Sequence, residues 1–343
     1  MISIVYEENE HDFDKKYKRL NSIAELKDLD TRQFESITEL DISGSGIRDN
    51  NIGELVIPPN LEKFECSCCY LSKLPKLPKG VKELRCVANN LSYLPDDLPE
   101  SLEAIWCNEN KMVDLFENYE TVEFNYMLPN LKTLCCHHNP LTYIPCMPDS
   151  LTYLSCKNCS IESFSKLSNS LNYMDCSDNK LTYLEDLPES LEHLICTCNK
   201  ISEISKLPSR LMKLECNGNY LNKLPELPKS LYSVNCSHNY LKELPELPEK
   251  LVFMYCKFNM LQKIPILPLT LQEVYISYNN IFELPDMSEN RKMCEFLYWG
   301  NPIHDRLDIN VGWNNRKPVI NKRKKEGIEL NYKGAKKRQI ETK

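Results

Sequence analysis

Residues 211–228 read LMKLECNGNYLNKLPELP, and residues 231–248 read LYSVNCSHNYLKELPELP. Both stretches hold leucine at position 1, leucine or valine at 4, cysteine at 6, asparagine at 9, leucine at 11 and 14, and proline at 15 and 18. The register runs outward with first positions at Leu61, Val81, Leu102, Leu131, Leu151, Leu171, Leu191, Leu211, Leu231, Leu251 and Leu271. A degenerate unit precedes them (Ile37, Leu40, Ile42, Ile47) and another follows (Phe296, Tyr298, Asn301, Ile303), giving about 12–13 units over residues 37–303. An internal period of this length predicts a solenoid of stacked units.

The leucine spacing is that of leucine-rich repeats, and each position has a physical task. Apolar residues at 4 and 6 alternate with polar ones, so a short strand presents 4 and 6 inward and 3, 5 and 7 outward. One unit cannot bury that inner face alone; stacked units pair their strands in parallel and share a core. Asparagine stands at position 9 in nine of eleven units, with Cys69 and Cys159 in the other two. Its amide can bond backbone groups where the chain leaves the strand.

The second marker, L-P-x-L-P, as in Leu224 to Pro228, fixes φ and removes donors, so the return segment should be extended rather than helical. The expected fold is an α/β-type repeat solenoid, mostly β. It is a curved arc with parallel strands on the concave face and polyproline-like segments on the convex side. Strand spacing of about 4.8 Å makes it roughly 55–60 Å long. Leu102 to Leu131 spans 29 residues instead of 20, placing an insertion near 116–124. Such extra residues form a loop on one edge.

Seventeen cysteines suggest a disulfide or metal protein until the register is applied. Ten of them (Cys66, Cys86, Cys107, Cys136, Cys156, Cys176, Cys196, Cys216, Cys236, Cys256) occupy position 6, where Ile42 and Ile276 stand in flanking units. They read as small core residues with inert thiols, in a reducing compartment. The C-x-x-C runs at Cys66–Cys69 and Cys156–Cys159 are then positions 6 and 9 of two units. Cys135-Cys136-His137-His138 puts Cys135 and His137 on the outer strand face, but too few ligands surround them for zinc and no third group completes a nucleophilic site. No P-loop, G-x-G-x-x-G or H-E-x-x-H motif is found. A non-enzymatic protein without metal or cofactor is expected.

Function then falls to the outer strand face. Early units place charged and polar groups there, such as Lys63, Glu65, Glu83 and Arg85. Later units place aromatic ones: Phe253, Tyr255, Phe258, Tyr275 and Tyr278, with Tyr298 and Trp299 extending the patch. A milder cluster, Trp106, Tyr153, Tyr173 and His193, runs along the middle units. Rigid rings of this kind fit two roles, anchors for a protein partner or a shield over the last open edge.

The ends differ from the array. Residues 1–36 read as an N-terminal cap, partly helical, from the apolar run Ile2 to Tyr6 and an amphipathic segment (Phe13, Tyr17, Leu20, Ile23, Leu26, Leu29). Residues 304–343 read as a basic, disordered tail. Asn314 to Lys343 holds 11 Lys/Arg and 3 Asp/Glu, a net +8, against −7 for the whole chain and therefore −15 for residues 1–313. The clusters Lys322-Arg323-Lys324-Lys325 and Lys336-Lys337-Arg338 fit a bipartite nuclear localisation signal, a nucleic-acid contact or a solubilising tail. With no membrane-span-length apolar run and no basic n-region at Met1 to Glu8, a monomer in a cytoplasmic, host-cell or nuclear setting is expected.

Units such as Leu224-Pro225-Glu226-Leu227-Pro228 followed by Leu231, Val234, Cys236, Asn239 and Leu241 resemble the short leucine-rich repeats of secreted bacterial effectors. That group holds scaffold effectors of the YopM kind and ubiquitin-ligase effectors of the IpaH kind. The resemblance covers residues 37–303 and implies the solenoid fold and action inside a host cell. About forty residues follow the repeats, too few for the ligases' catalytic domain, so the resemblance implies a scaffold. Cysteine at position 6 and richness in Lys, Asn and Tyr also look similar to repeat proteins of giant viruses of amoebae.

Overall fold

The structure is a computed structural model that describes residues 1–6, 16–117 and 127–303. Strand β1 (Ile2–Tyr6) pairs antiparallel with β2 (Lys16–Leu20) on one side and β3 (Ile37–Asp41) on the other. Two one-turn helices lie between β2 and β3, α1 (Ile23–Lys27) and α2 (Thr31–Glu35). Each starts on a side-chain cap: Ser22 Oγ accepts from the Glu25 N–H and Asp30 Oδ1 from the Gln33 N–H. The amphipathic segment expected from Phe13 to Leu29 is thus helical only at Ile23–Lys27. Lys16–Leu20 is strand because the free edge of β1 satisfies its backbone groups, which a helix this short could do only weakly. Tyr17 is 79 % exposed and belongs to no buried stripe; Phe13 lies outside the described residues.

From β3 onward each unit contributes one strand at positions 3–5. The first are β4 (Lys63–Glu65), β5 (Glu83–Arg85), β6 (Ala104–Trp106) and β7 (Thr133–Cys135). Next come short return-side strands alternating with main ones: β8 (Tyr143–Ile144), β9 (Tyr153–Ser155), β10 (Ser163–Phe164), β11 (Tyr173–Asp175), β12 (Tyr183–Leu184), β13 (His193–Ile195) and β14 (Glu203–Ile204). The series closes with β15 (Lys213–Glu215), β16 (Ser233–Asn235), β17 (Phe253–Tyr255), β18 (Glu273–Tyr275) and β19 (Glu295–Leu297). The main strands and the cap form one 15-stranded sheet, parallel from β3 to β19. Its register sets like positions side by side, for example Tyr153 beside Tyr173 and Tyr255 beside Tyr275.

Burial follows the sequence pattern. Side chains at positions 4 and 6 are buried from Phe64 and Cys66 through Val274 and Ile276. Each buried aliphatic side chain contributes about 1.5–3 kcal/mol, shared only with adjacent units. Position 9 links those units by hydrogen bonds. Asn219 is typical: Nδ2 donates to the carbonyls of Cys196 (2.9 Å) and Cys216 (3.1 Å), and Oδ1 accepts from the Ile201 N–H (2.9 Å). The same triad recurs at Asn279 and Asn301. Cys159 puts a thiol in that place, its Sγ reaching the Cys136 and Lys157 carbonyls, both at 3.6 Å, with no amide oxygen to receive an N–H.

Position 8 shows what the pattern did not reveal. Every unit from Cys68 to Gly300 turns there through the left-handed region, with φ from 50° at Asn158 to 72° at Gly300. Its N–H donates to the position-7 carbonyl of the next unit, as Cys68 to Val87 and Tyr278 to Trp299, both 2.9 Å. This places position 8 at the corner after the strand, where a cross-unit bond offsets the backbone strain.

On the return side, proline at 15 leaves most units without a strand. Ser165, Glu185 and Ser205 replace it in three consecutive units, where β10 pairs with β8 of the unit before and β12 pairs with β14, both in parallel.

Candidate functional site

Along the outer strand face the first units are held by ion pairs. Lys63 Nζ lies 3.8 Å from Glu39 and Arg85 3.9 Å from Glu83. Burial, then the nearby Asp41 carboxylate, pushes the Glu65 carboxyl up. The Arg85 guanidinium sits 3.9 Å over the Trp106 ring, a cation–π contact that fixes Trp106 flat on the sheet.

Cys135 comes next in register and is 8 % exposed, not open as its strand position suggested. Its larger neighbours Trp106 and Tyr153 overtop the short thiol, and burial pushes its pKa to about 11. Burial, then His138, lowers His137. A thiol held protonated and an imidazole held neutral do not form an ion pair, which removes the usual activated-nucleophile arrangement. Among the described residues no three His, Cys, Asp or Glu side chains are gathered to hold a metal.

Tyr153 and Tyr173 stack with centroids 4.4 Å apart and planes 3° from parallel, and His193 follows at 6.1 Å. Tyr153, Tyr173 and His193 are therefore one continuous row of rings, built by a register that repeats position 3 every unit, whereas Trp106 stands at position 5 two units earlier and is not joined to it.

The later aromatic residues separate into two rows. On the strand face Tyr255 and Tyr275 meet edge to face at 4.9 Å, beside half-buried Phe253. The Tyr255 hydroxyl donates to Glu273 (2.8 Å), the Tyr275 hydroxyl donates to Glu295 (2.7 Å), and Lys257 Nζ lies 4.3 Å over the Tyr275 ring. Burial and the Glu273 bond raise Tyr255 to about 12, and burial with Glu295 raises Tyr275 further. Both hydroxyls thus stay donors, and the rings are fixed in place before any partner arrives.

The second row lies at position 8. His238 stacks on Phe258 and Phe258 on Tyr278, each at 4.4 Å, and Tyr278 meets Trp299 edge-on at 4.5 Å. The sequence put Phe258 and Tyr278 on the strand face with Tyr255; the left-handed corner instead stacks them along the flank. Gly300 is required here, since a Cβ would lie 2.6 Å from the Tyr278 ring.

Outside the sequence-based selection lie His238 and a third row at position 10, where Tyr220 and Tyr240 tilt together at 6.1 Å and are 52 % and 48 % exposed. Met260 continues it. Reading down column 10, just past the buried asparagine, would have found it. The basic residues Lys322, Arg323, Lys324, Lys325, Lys336, Lys337 and Arg338, and the centre of the 116–124 insertion, lie outside the described residues. Among the described residues, no helix is long and apolar enough to cross a membrane.

No protein-family model matches the chain. Solved structures do. YopM from Yersinia enterocolitica WA-314 is 29% identical with a TM-score of 0.60, covering 77% of this chain and 64% of that one, so the chain spans about two thirds of it. YopM from Yersinia pestis, described as a leucine-rich effector protein, is 29% identical with a TM-score of 0.62 over 77% of each chain. The functional domain of InlJ from Listeria monocytogenes, said to include a cysteine ladder, is 22% identical with a TM-score of 0.60, over 82% of this chain and 68% of that one. In this chain the position-6 thiols stack from unit to unit as a ladder of buried free cysteines, with Cys236 Sγ and Cys256 Sγ 3.2 Å apart. The compositional likeness to giant-virus repeat proteins gains no support from these similarities.

Proposed function

We propose that this chain, a leucine-rich-repeat protein, is a non-enzymatic scaffold that binds a protein partner on the concave strand face of its last units. The observation that carries this reading is the pre-set pair Tyr255 and Tyr275, with hydroxyls held by Glu273 and Glu295 and an ammonium already seated on one ring. Fixed aromatic rings with a polar tip lose little entropy on binding and are frequent hot spots. The free state of all seventeen cysteines fits a reducing compartment, and the likeness to a Yersinia effector supports a site of action inside a host cell.

Affinity capture from a cell lysate tests it. Tyr255→Ala with Tyr275→Ala should remove capture by the full chain, while Ile266→Ser, at an 89 % exposed return-side position, should leave it intact. Circular dichroism of both variants should match the parent. Capture that survives the double substitution sinks the assignment.

The net +8 of Asn314–Lys343 supports a second reading, a nuclear or nucleic-acid-associated role for the tail. A fluorescent reporter fused to residues 314–343 should concentrate in the nucleus; a diffuse signal rejects import.

A further inference from the structure

Return segments can pair where the later unit supplies an N–H at position 15. Ser165, Glu185 and Ser205 all supply one, so β8, β10, β12 and β14 have what a four-strand ladder requires. The ladder is nonetheless broken at its centre: β8 pairs with β10 and β12 with β14, and β10 does not pair with β12. Among the described residues no backbone hydrogen bond joins 162–165 to 182–185. Two strand edges with free donors and acceptors therefore face each other across a cleft of about 530 Å³.

The sequence departs from the repeat at the same place. Position 14 is aliphatic in every unit from Leu74 to Leu284 except one, where Phe164 stands. Phe164 is half-buried and packed against the core, as Leu74, Leu244 and Leu284 are at this position, and its ring is bulkier than the leucine or isoleucine of every other unit. The same unit departs from its consensus at Cys159, Ser165 and Ser168. On the opposite lip Asp186 adopts φ 51°, a left-handed conformation outside the position-8 row. An oversized ring, missing prolines, a strained residue and two unpaired edges coincide at one place in an otherwise regular array. Local rules broken together in this way are characteristic of sites kept for a purpose other than stability.

We propose that this cleft is a binding slot for an extended peptide segment of a partner protein, which enters as the missing strand between β10 and β12. Main-chain groups on both lips would pair with the peptide, as in other strand-addition modes. Alternate side chains would rest on the apolar floor of Phe164, Leu167 and Leu184. The lips carry Glu185 and Asp186 against Lys166, so the slot favours a segment that interleaves apolar residues with lysine or arginine. The slot opens on the return side and is independent of the strand-face reading above.

The test uses the full chain and a phage-displayed library of random linear peptides. Enriched peptides should alternate apolar residues with polar ones and carry lysine or arginine. Their affinity should fall at least about tenfold on Phe164→Leu with Glu185→Pro, a variant that restores the repeat's own residues at both positions and removes the Glu185 N–H from one lip. That variant should melt no lower than the parent, since leucine and proline suit these positions elsewhere in the array. Hydrogen exchange at Thr182 to Asp186 should slow when peptide binds. No enrichment, equal binding to the consensus variant, or protection confined to other units overturns the proposal. Binders that appear only after Lys322, Arg323, Lys324 and Lys325 are changed to serine would also overturn it, by assigning the slot to the chain's own tail.

Discussion

Unit 211–230 and unit 151–170 have the same length, the same three-residue strand and the same buried leucines and position-6 cysteine, yet they are joined to their neighbours differently. In the first, Asn219 bonds the Cys216 carbonyl of its own unit and, across the unit boundary, the Cys196 carbonyl and the Ile201 N–H, and Leu224-Pro225 passes through the return without pairing. In the second, Cys159 makes two weak thiol contacts in place of that triad, and Phe164 and Ser165 stand where the return side is unpaired. The strand face is preserved in both. Repeat logic therefore constrains the concave core tightly and leaves the boundary bonds and return segments free to vary.

The largest effect should come from what the two units share. Cys156 and Cys216 are fully buried, and burial holds both thiols far above their ordinary value. The same holds along the ladder for Cys66, Cys86, Cys107, Cys136, Cys176 and Cys196, while at Cys236 the bond to Cys256 leads and burial follows. A folded pKa raised above the unfolded one gives stability that is complete below the unfolded value and lost as pH rises toward the folded one. Each thiol then removes about 1.4 kcal/mol per pH unit once the unfolded chain ionises, above about pH 9. Nine together give roughly 12 kcal/mol per unit, comparable to the whole stability of a domain. The chain should unfold cooperatively within about one unit above pH 9, and Cys216→Val should make the loss shallower. Thiolate absorbance that appears at ordinary pH while circular dichroism is unchanged would show that the ladder is open to water.

A second prediction turns the regular unit into the irregular one. Asn219→Ala leaves the buried Ile201 N–H without its partner and takes one of two asparagine donors from each of the Cys196 and Cys216 carbonyls, which keep Asn199 and Asn239, and should lower stability by about 2 kcal/mol in urea titration. Hydrogen exchange should rise at Ile201 and in units 191–230 before the rest. A loss below about 1 kcal/mol would mean that water replaces the amide, and the contrast between the two units would shrink.

Much of this was legible in the sequence. The period of Leu211, Leu214, Cys216 and Leu221 gave the solenoid and its parallel register, because hydrophobic burial at fixed positions has few solutions. The aromatic surface was legible in composition only. Residue type alone groups Phe258 and Tyr278, at position 8, with Tyr255, at position 5, and they separate because position 8 turns left-handed in every unit. No residue type marks that turn: cysteine, alanine, glutamate, histidine and tyrosine all occupy it, because the cross-unit N–H bond and not local propensity imposes it. The strand at Lys16–Leu20 was missed for a related reason, since its partner β1 lies far away in the helical reading. The slot between β10 and β12 was visible as departures at Phe164, Ser165 and Ser168, which acquire meaning only when the two return segments are seen not to pair.

The smallest prediction reverses the second. Cys159→Asn would place an amide where its Nδ2 can donate to the carbonyls of Cys136 and Cys156 and its Oδ1 can accept from the Leu141 N–H, as the asparagines at 139 and 179 do in the units on either side. Three new buried bonds would each contribute about 1 kcal/mol, but the larger side chain must enter a boundary already shaped around a thiol, which costs about 1–2 kcal/mol of repacking. A net gain of about 1 kcal/mol in urea titration is expected. The sign is informative. A gain says that unit 151–170 is loose because it lacks the amide. A loss says that Phe164 has tilted the unit so far that the asparagine triad can no longer reach, in which case Phe164→Leu made first should restore the gain and show that the open return side and the missing amide are one adaptation.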